Sequence, residues 1–173
     1  MNKLNDRLVA TNDMIYKLVN TVEGDFIEEA HAVRSDVCSY VRQVCASVAD
    51  IFQGSANVRF SSTMRNCFIA FEAVTLRYVV VDILSDAIVS AQNVGFINVS
   101  VERGRFTHST VAIIFELGGV IPVGSRYFSK SEDSLTPRKS IADRLTKMEA
   151  QLNSYDYGDG MHHVVLLLPA NRS

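Results

Sequence analysis

Apolar residues recur every three or four positions through the first fifty residues, which is the spacing that gives a helix one packing face. Two such stripes are separated by Glu23-Gly24-Asp25, where Gly24 offers a helix stop and Asp25 and Glu28 have the spacing of a capping box. The first stripe contains Leu4, Leu8, Ile15, Leu18 and Val22, with Thr11 in the one gap; the second contains Phe26, Ala30, Val33, Val37, Tyr40 or Val41, Val44, Val48 and Ile51. The pattern predicts an antiparallel helical hairpin domain over residues 1–54.

A lone hairpin of this kind leaves part of its apolar surface in water. Pairing with a second copy would bury that surface, so the pattern favours a homodimer held by a four-helix bundle. The alternative is that the hairpin packs on the β-containing remainder of its own chain.

Residues 55–173 show a mixed pattern. Apolar–polar alternation predicts a β-hairpin that turns at Arg103-Gly104, and an unbroken apolar run predicts a central last strand. The predicted helices are most of 67–92 and 140–152, and the predicted strands are 57–60, 96–102, 106–117, 120–128 and 164–169. Polar positions fall near one face of the first of these helices: Glu72, Thr75, Asp82, Asp86 and Ser90. These elements predict an α+β fold, in which a two-layer α/β sandwich with its helices on one sheet face follows the hairpin.

Composition narrows the class of protein. The 173 residues carry a net charge of −2, so no general attraction to nucleic acid or to acidic membrane is expected. No stretch is long and apolar enough to predict a membrane span. The three cysteines have no CxxC spacing, which argues against a disulfide framework and against a zinc site. The sequence therefore predicts a cytoplasmic protein without a metal.

The stretch from Leu76 to Ala170 resembles the ATP-binding domain of sensor histidine kinases and the wider GHKL group. Asp86, in Leu84-Ser85-Asp86-Ala87, takes the place of the family's magnesium-binding asparagine. The motif that grips adenine in the family is replaced by Phe115-Glu116-Leu117-Gly118-Gly119, and residues 129–134 lack the glycines of the family's lid. An additional carboxylate facing a triphosphate is electrostatically unfavourable. The resemblance therefore implies a degenerate domain with no ATP cofactor and no ATPase activity.

A degenerate domain behind a dimerising hairpin is the plan of histidine phosphotransferases of the ChpT type. This resemblance implies a phosphorelay protein that exchanges phosphate between receiver domains of response regulators and a hybrid histidine kinase. Its docking surface would lie around the first helix, at Arg7, Asn12, Asp13 and Tyr16.

The phosphate acceptor of those families is a histidine followed by an acidic residue on the first helix. Asn12-Asp13 stands at the matching position here, and asparagine cannot accept phosphate. His31, close to Glu28 and Glu29, is the replacement acceptor if transfer occurs, because imidazole is a nucleophile near neutral pH. The alternative is that His31 is an ordinary surface residue.

Two other functions are compatible with the sequence. His108-Ser109-Thr110 together with His162 or His163 resembles the paired histidines of two-histidine phosphoesterases, although His162-His163-Val164-Val165 lacks the second hydroxyl. A dimeric adaptor without phosphate chemistry is the remaining possibility.

Overall fold

A five-stranded mixed sheet carries three helices on one face in the computed structural model, which describes residues 31–52, 57–90, 94–119, 125–128, 135, 137–156 and 161–170. The strands are β1 (Val33–Asp36), β2 (Val58–Phe60), β3 (Phe68–Phe71), β4 (Val94–Arg103), β5 (Thr110–Gly119), β6 (Gln151–Asp156) and β7 (Met161–Pro169). The helices are α1 (Val37–Ile51), α2 (Ala73–Ser90) and α3 (Lys139–Lys147). The large sheet has the order β2-β4-β5-β7-β6, and β1 pairs with β3 in a separate two-stranded sheet.

The alternation of side chains along the strands divides the large sheet into two faces. The inner face and the helices share one core, whose strand members are Ile97, Val99, Val101, Val111, Ile113, Phe115, Leu117, Val164, Leu166 and Leu168. On the outer face, Ala112, Ile114, Val165 and Leu167 form a small apolar strip. Phe106 and Tyr155 pack against this strip, and their rings stack 5.9 Å apart. The predicted α+β sandwich is therefore confirmed.

The predicted second hairpin helix is wrong over Val33–Asp36, where the chain forms β1 and pairs antiparallel with β3. Asp36 explains the change from strand to helix. Its Oδ1 accepts hydrogen bonds from the backbone N–H of Cys38 at 3.1 Å and of Cys67 at 2.8 Å. The first bond caps α1, and the second ties the start of α1 to the chain just before β3.

The apolar face of α1 is buried inside the same chain. Its residues Val37, Cys38, Val41, Val44, Cys45 and Val48 are at most 3% exposed and belong to the core shared with the sheet. The alternative packing, on the chain's own β-containing part, is therefore the one observed for α1. The four-helix bundle and the domain boundary at residue 54 stay predictions, because residues 1–30 lie outside the described residues.

The β-hairpin prediction is confirmed. β4 and β5 pair antiparallel from Val94↔Gly119 to Arg103↔Val111, and Gly104 turns with a φ of 72°. The last strand is also confirmed as internal to the sheet, since β7 lies between β5 and β6. The helix predicted over most of 67–92 is present from Ala73 to Ser90, whereas Phe68–Phe71 is a strand. Residues 125–128 form no strand, contrary to the prediction over 120–128.

The predicted helix over 140–152 ends earlier than expected. After Lys147 the chain makes a helix-stop motif, in which Glu149 has a φ of 55° and the N–H of Ala150 bonds the carbonyl of Leu145 at 2.9 Å. The chain then reverses into β6, which takes residues predicted as the end of a helix and as a loop. No helix among the described residues is long and apolar enough to cross a membrane.

Candidate functional site

The richest cluster of polar contacts lies along one face of α2. Asp82 and Asp86 are four residues apart on the helix, and Glu72 and Thr75 continue the same line toward its start. We call these four residues the polar face of α2. The rest of the helix is largely buried, since nine further residues are at most 6% exposed: Leu76, Val79, Val80, Val81, Ile83, Leu84, Ser85, Ala87 and Ile88.

Asp86 holds the short segment Ser125–Phe128 against the helix. Its Oδ2 accepts a hydrogen bond from Ser125 Oγ at 2.5 Å and another from the backbone N–H of Arg126 at 3.0 Å. Ser125 Oγ in turn accepts from the N–H of Phe128 at 3.0 Å. One carboxylate oxygen thus fixes both the side chain and the backbone of this segment.

The two aromatic residues of the segment complete its attachment. Tyr127 and Phe128 are 0% and 1% exposed and belong to the main core. The hydroxyl of Tyr127 donates to Asp82 Oδ2. The segment is therefore an integral part of the packing over α2, and we call it the latch.

Burial sets the electrostatics of this contact. The pKa of Asp86 is raised above its ordinary value, first because burial disfavours the charged carboxylate, and the nearby Asp82 charge adds to this. The hydrogen bonds from Ser125 and Arg126 act in the opposite direction. The pKa of the Tyr127 hydroxyl is raised for the same main reason, followed by its proximity to Asp82.

Helix α3 and Arg138, the residue just before it, place cations beside Glu72 and Asp82. Lys147 Nζ lies 3.0 Å from Glu72 Oε2, which also accepts from Thr75 Oγ1 at 3.0 Å. Arg138 Nε lies 3.8 Å from Asp82 Oδ1. The guanidinium of Arg144 stacks over the ring of Tyr78 at 3.9 Å. All three carboxylates of the polar face are thus engaged by groups of the same chain.

The stretch at the position of the adenine motif also serves packing. Glu116 points to the outer sheet face, where its Oε2 lies 3.6 Å from Nε2 of His163. Gly118 lies beneath the ring of Phe96, and a Cβ there would come within 2.3 Å of that ring. Both residues therefore have structural partners on the sheet, away from the polar face of α2.

The predicted site residues do not come together in the described structure. His31 is exposed and lies two residues before β1, outside any helix. The predicted docking residues Arg7, Asn12, Asp13 and Tyr16 lie outside the described residues. No cluster of three or more metal-ligating side chains occurs among the residues that the structure describes.

The predicted pair of phosphoesterase histidines is wrong. His108 lies in the turn just before Thr110, whereas His162 pairs with Leu117 near the other end of β5. Thr110 and Leu117 are seven strand residues apart, which is about 24 Å. His162 and His163 also point to opposite faces of β7, His162 into the core side and His163 outward. One cleft cannot hold both histidine motifs.

The latch is the part of the site that the sequence analysis missed. Its residues belong to the stretch from Val120 to Phe128, which the sequence analysis predicts as a strand interrupted by Pro122 and Gly124. The spacing of Asp82 and Asp86 on α2 did predict a polar helix face. What that face binds depends on residues some forty positions away, which periodicity does not reveal.

Comparisons with protein-family models and with curated proteins found no match for this chain. Solved structures, in contrast, match closely in shape. The ATP-binding domain of PrrB from Mycobacterium tuberculosis is 19% identical, with a TM-score of 0.62 over 82% of this chain and 98% of that domain. The histidine kinase domain of the Escherichia coli osmosensor EnvZ is 12% identical, with a TM-score of 0.58 over 86% and 94%.

A third match is the histidine kinase ThkA in complex with the response regulator TrrA. It is 12% identical, with a TM-score of 0.62 over 98% of this chain and 51% of that one. The chain therefore has the fold of a histidine-kinase ATP-binding domain.

Proposed function

We propose that this chain is a phosphorelay protein of the histidine-phosphotransferase kind, which docks receiver domains and has no ATPase activity. The observation that carries the proposal is the latch. In a fold shared with ATP-binding domains, Asp86 at the asparagine position accepts hydrogen bonds from Ser125 and Arg126 of its own chain. Tyr127 and Phe128 fill the adjacent space on α2. Asp86, which would have to face a nucleotide in such a domain, is therefore hydrogen-bonded within its own chain.

Partners of the response-regulator class follow from the fold and from the resemblance. ThkA, which shares the fold, was solved in complex with a response regulator. The docking surface proposed for this chain is Arg7, Asn12, Asp13 and Tyr16, and a hybrid histidine kinase is the proposed source of phosphate. A cytoplasmic location agrees with three buried cysteines that form no disulfide.

His31 is the proposed acceptor if phosphate is transferred. The side chain is exposed, as a group that meets a receiver domain must be. In the transfer, an imidazole nitrogen attacks phosphorus, the bond from phosphorus to the receiver aspartate oxygen breaks, and the aspartate is restored as a carboxylate.

The test is phosphoryl transfer from phosphorylated receiver domains of the organism that makes this chain. The product is scored as acid-labile, base-stable phosphohistidine on the wild type, on His31→Ala and on His108→Ala as an exposed matched control. If phosphohistidine is lost in His31→Ala and kept in His108→Ala, the result supports a relay protein whose acceptor is His31 instead of a histidine on the first helix. Receiver binding without transfer reduces the function to docking. Absence of both overturns the proposal in favour of a structural adaptor.

The homodimer belongs to the same proposal. The apolar face of α1 is buried within the chain, so that face is not free to form the dimer. Size-exclusion chromatography with light scattering measures the mass directly, and a monomer at all accessible concentrations would remove the dimer from the proposal.

A further inference from the structure

Strand β6 forms one edge of the large sheet. It pairs antiparallel with β7 along all six residues, from Gln151↔Leu167 to Asp156↔His162. On its other side, no strand of the described residues pairs with it. Half of its backbone hydrogen-bonding groups therefore point away from the sheet, where a further strand could take them up.

Most of this edge lacks the usual protection against pairing with another chain, because its one charged residue, Asp156, stands at the end of β6. Sheet edges are commonly shortened, bent by a bulge, or marked with charge or proline. β6 is uncharged from Gln151 to Tyr155, contains no proline, and keeps an unbroken register with β7. The opposite edge differs, because β2 is three residues long and has the charged Arg59 at its centre.

The side chains of β6 follow the two faces of the sheet. Leu152 and Ser154 align with Leu166 and Val164 on the inner face. Gln151, Asn153 and Tyr155 align with Leu167, Val165 and His163 on the outer face. A strand added to this edge has to keep this division, because a slip by one residue would exchange the faces.

We propose that β6 pairs antiparallel with β6 of a second copy of this chain, about a two-fold axis at Asn153. In this register Asn153 faces its own counterpart, Leu152 faces Ser154, and Gln151 faces Tyr155. Inner residues then meet inner residues and outer residues meet outer residues. No two charges face each other between 151 and 155, so the arrangement is self-complementary.

A second copy is the occupant that the register favours. Two identical antiparallel strands keep inner residues against inner residues only in registers in which one residue opposes its own counterpart. Asn153 is the centre of the uncharged stretch and takes that position. The two five-stranded sheets would continue into one. This inference supplies a surface for the homodimer of the proposed function and rests on that part of it, whereas receiver docking is independent.

Opposite charges placed at the axis test the register directly. In Asn153→Lys the two lysines face each other, and in Asn153→Asp the two carboxylates do. The dimer of each variant alone should have a dissociation constant at least about fivefold higher than that of the wild type. A mixture of the two variants should restore the dimer, because each lysine then faces an aspartate. Mass is followed by light scattering over a dilution series of the full chain.

Asn98→Lys is the matched control, since Asn98 lies on the outer face of the sheet but on β4, which is not an edge strand. It should leave the dimer unchanged. A wild-type monomer at every concentration overturns the inference, and so does a dimer that both Asn153 variants leave intact. Failure of the mixture to recover the dimer overturns the two-fold register. Receiver binding measured on the same variants separates these results from the docking proposal.

Discussion

Single carboxylate oxygens connect distant parts of this chain. Asp36 Oδ1 joins the first turn of α1 to Cys67, and Asp86 Oδ2 joins α2 to the latch. Each oxygen accepts two hydrogen bonds, at least one of them from a backbone N–H. Removing such an acceptor leaves two donors without a partner, which is the costly case for a partly buried hydrogen bond. Each of these two residues therefore links segments that lie far apart in the sequence.

Burial of Asp86 predicts a definite pH dependence. Because its pKa is raised in the folded chain, the folded state holds the proton more tightly than the unfolded state does. The contribution of Asp86 to the free energy of unfolding should therefore fall as the pH rises from the ordinary aspartate value of 3.8 through the raised pKa, and then level off.

Chemical denaturation of the wild type and of Asp86→Asn at a series of pH values measures this contribution. The difference in free energy of unfolding, wild type minus variant, should decrease with rising pH across that window. Ser125→Ala should shift the decrease to higher pH, since the hydrogen bond from Ser125 lowers the pKa of Asp86. A difference that grows with pH would show that the hydrogen bonds outweigh burial.

Among the elements, those with a regular hydrophobic spacing were predictable from the sequence. Those that depend on a reversal of the chain or on a distant strand partner were not. The alternation in β4 and β5, the apolar run of β7 and the helical spacing in α2 all correspond to observed elements. The end of α3 was missed because Glu149, rather than the usual glycine, adopts the left-handed conformation there. β1 was missed because Val33 continues the helical spacing of α1, while its strand partner β3 lies more than thirty residues away.

Glu149 provides a test at the scale of this element. A left-handed conformation disfavours any residue with a Cβ, so glycine should stabilise the helix stop. Both Glu149→Gly and Glu149→Ala remove the side chain, and only the first removes the Cβ. The glycine variant should exceed the alanine variant by about 1 kcal/mol in free energy of unfolding. Equal stability, or a more stable alanine variant, would contradict the helix-stop assignment.

For the whole molecule, the sequence predicted the fold class better than it predicted the architecture of residues 31–51, where the chain forms β1 before α1. The stripe on α1 was correctly seen as a packing surface, but periodicity cannot tell which surface it packs against. The same limit applies to the site. Asp82 and Asp86 could be placed on one helix face, whereas the latch that engages them is brought there only by the tertiary fold.

A ligand-shift experiment on the intact chain tests the proposal that it does not bind ATP. Binding to the folded state alone adds about 2.7 kcal/mol of stability when the ligand is at one hundred times its Kd. Because the latch occupies Asp82 and Asp86 on the polar face of α2, magnesium-ATP should leave Tm unchanged. Non-hydrolysable ATP should give the same result. A saturable rise in Tm with either nucleotide would show that the latch yields to it.

The position of β1 has a mechanical consequence. The chain enters the described structure through this strand, which is hydrogen-bonded to β3 and continues directly into α1. A pull on the preceding residues is therefore borne first by four paired residues and by the Asp36 hydrogen bonds to Cys38 and Cys67. Tension applied at the start of the described structure therefore reaches the core through α1 only after this four-residue ladder has opened.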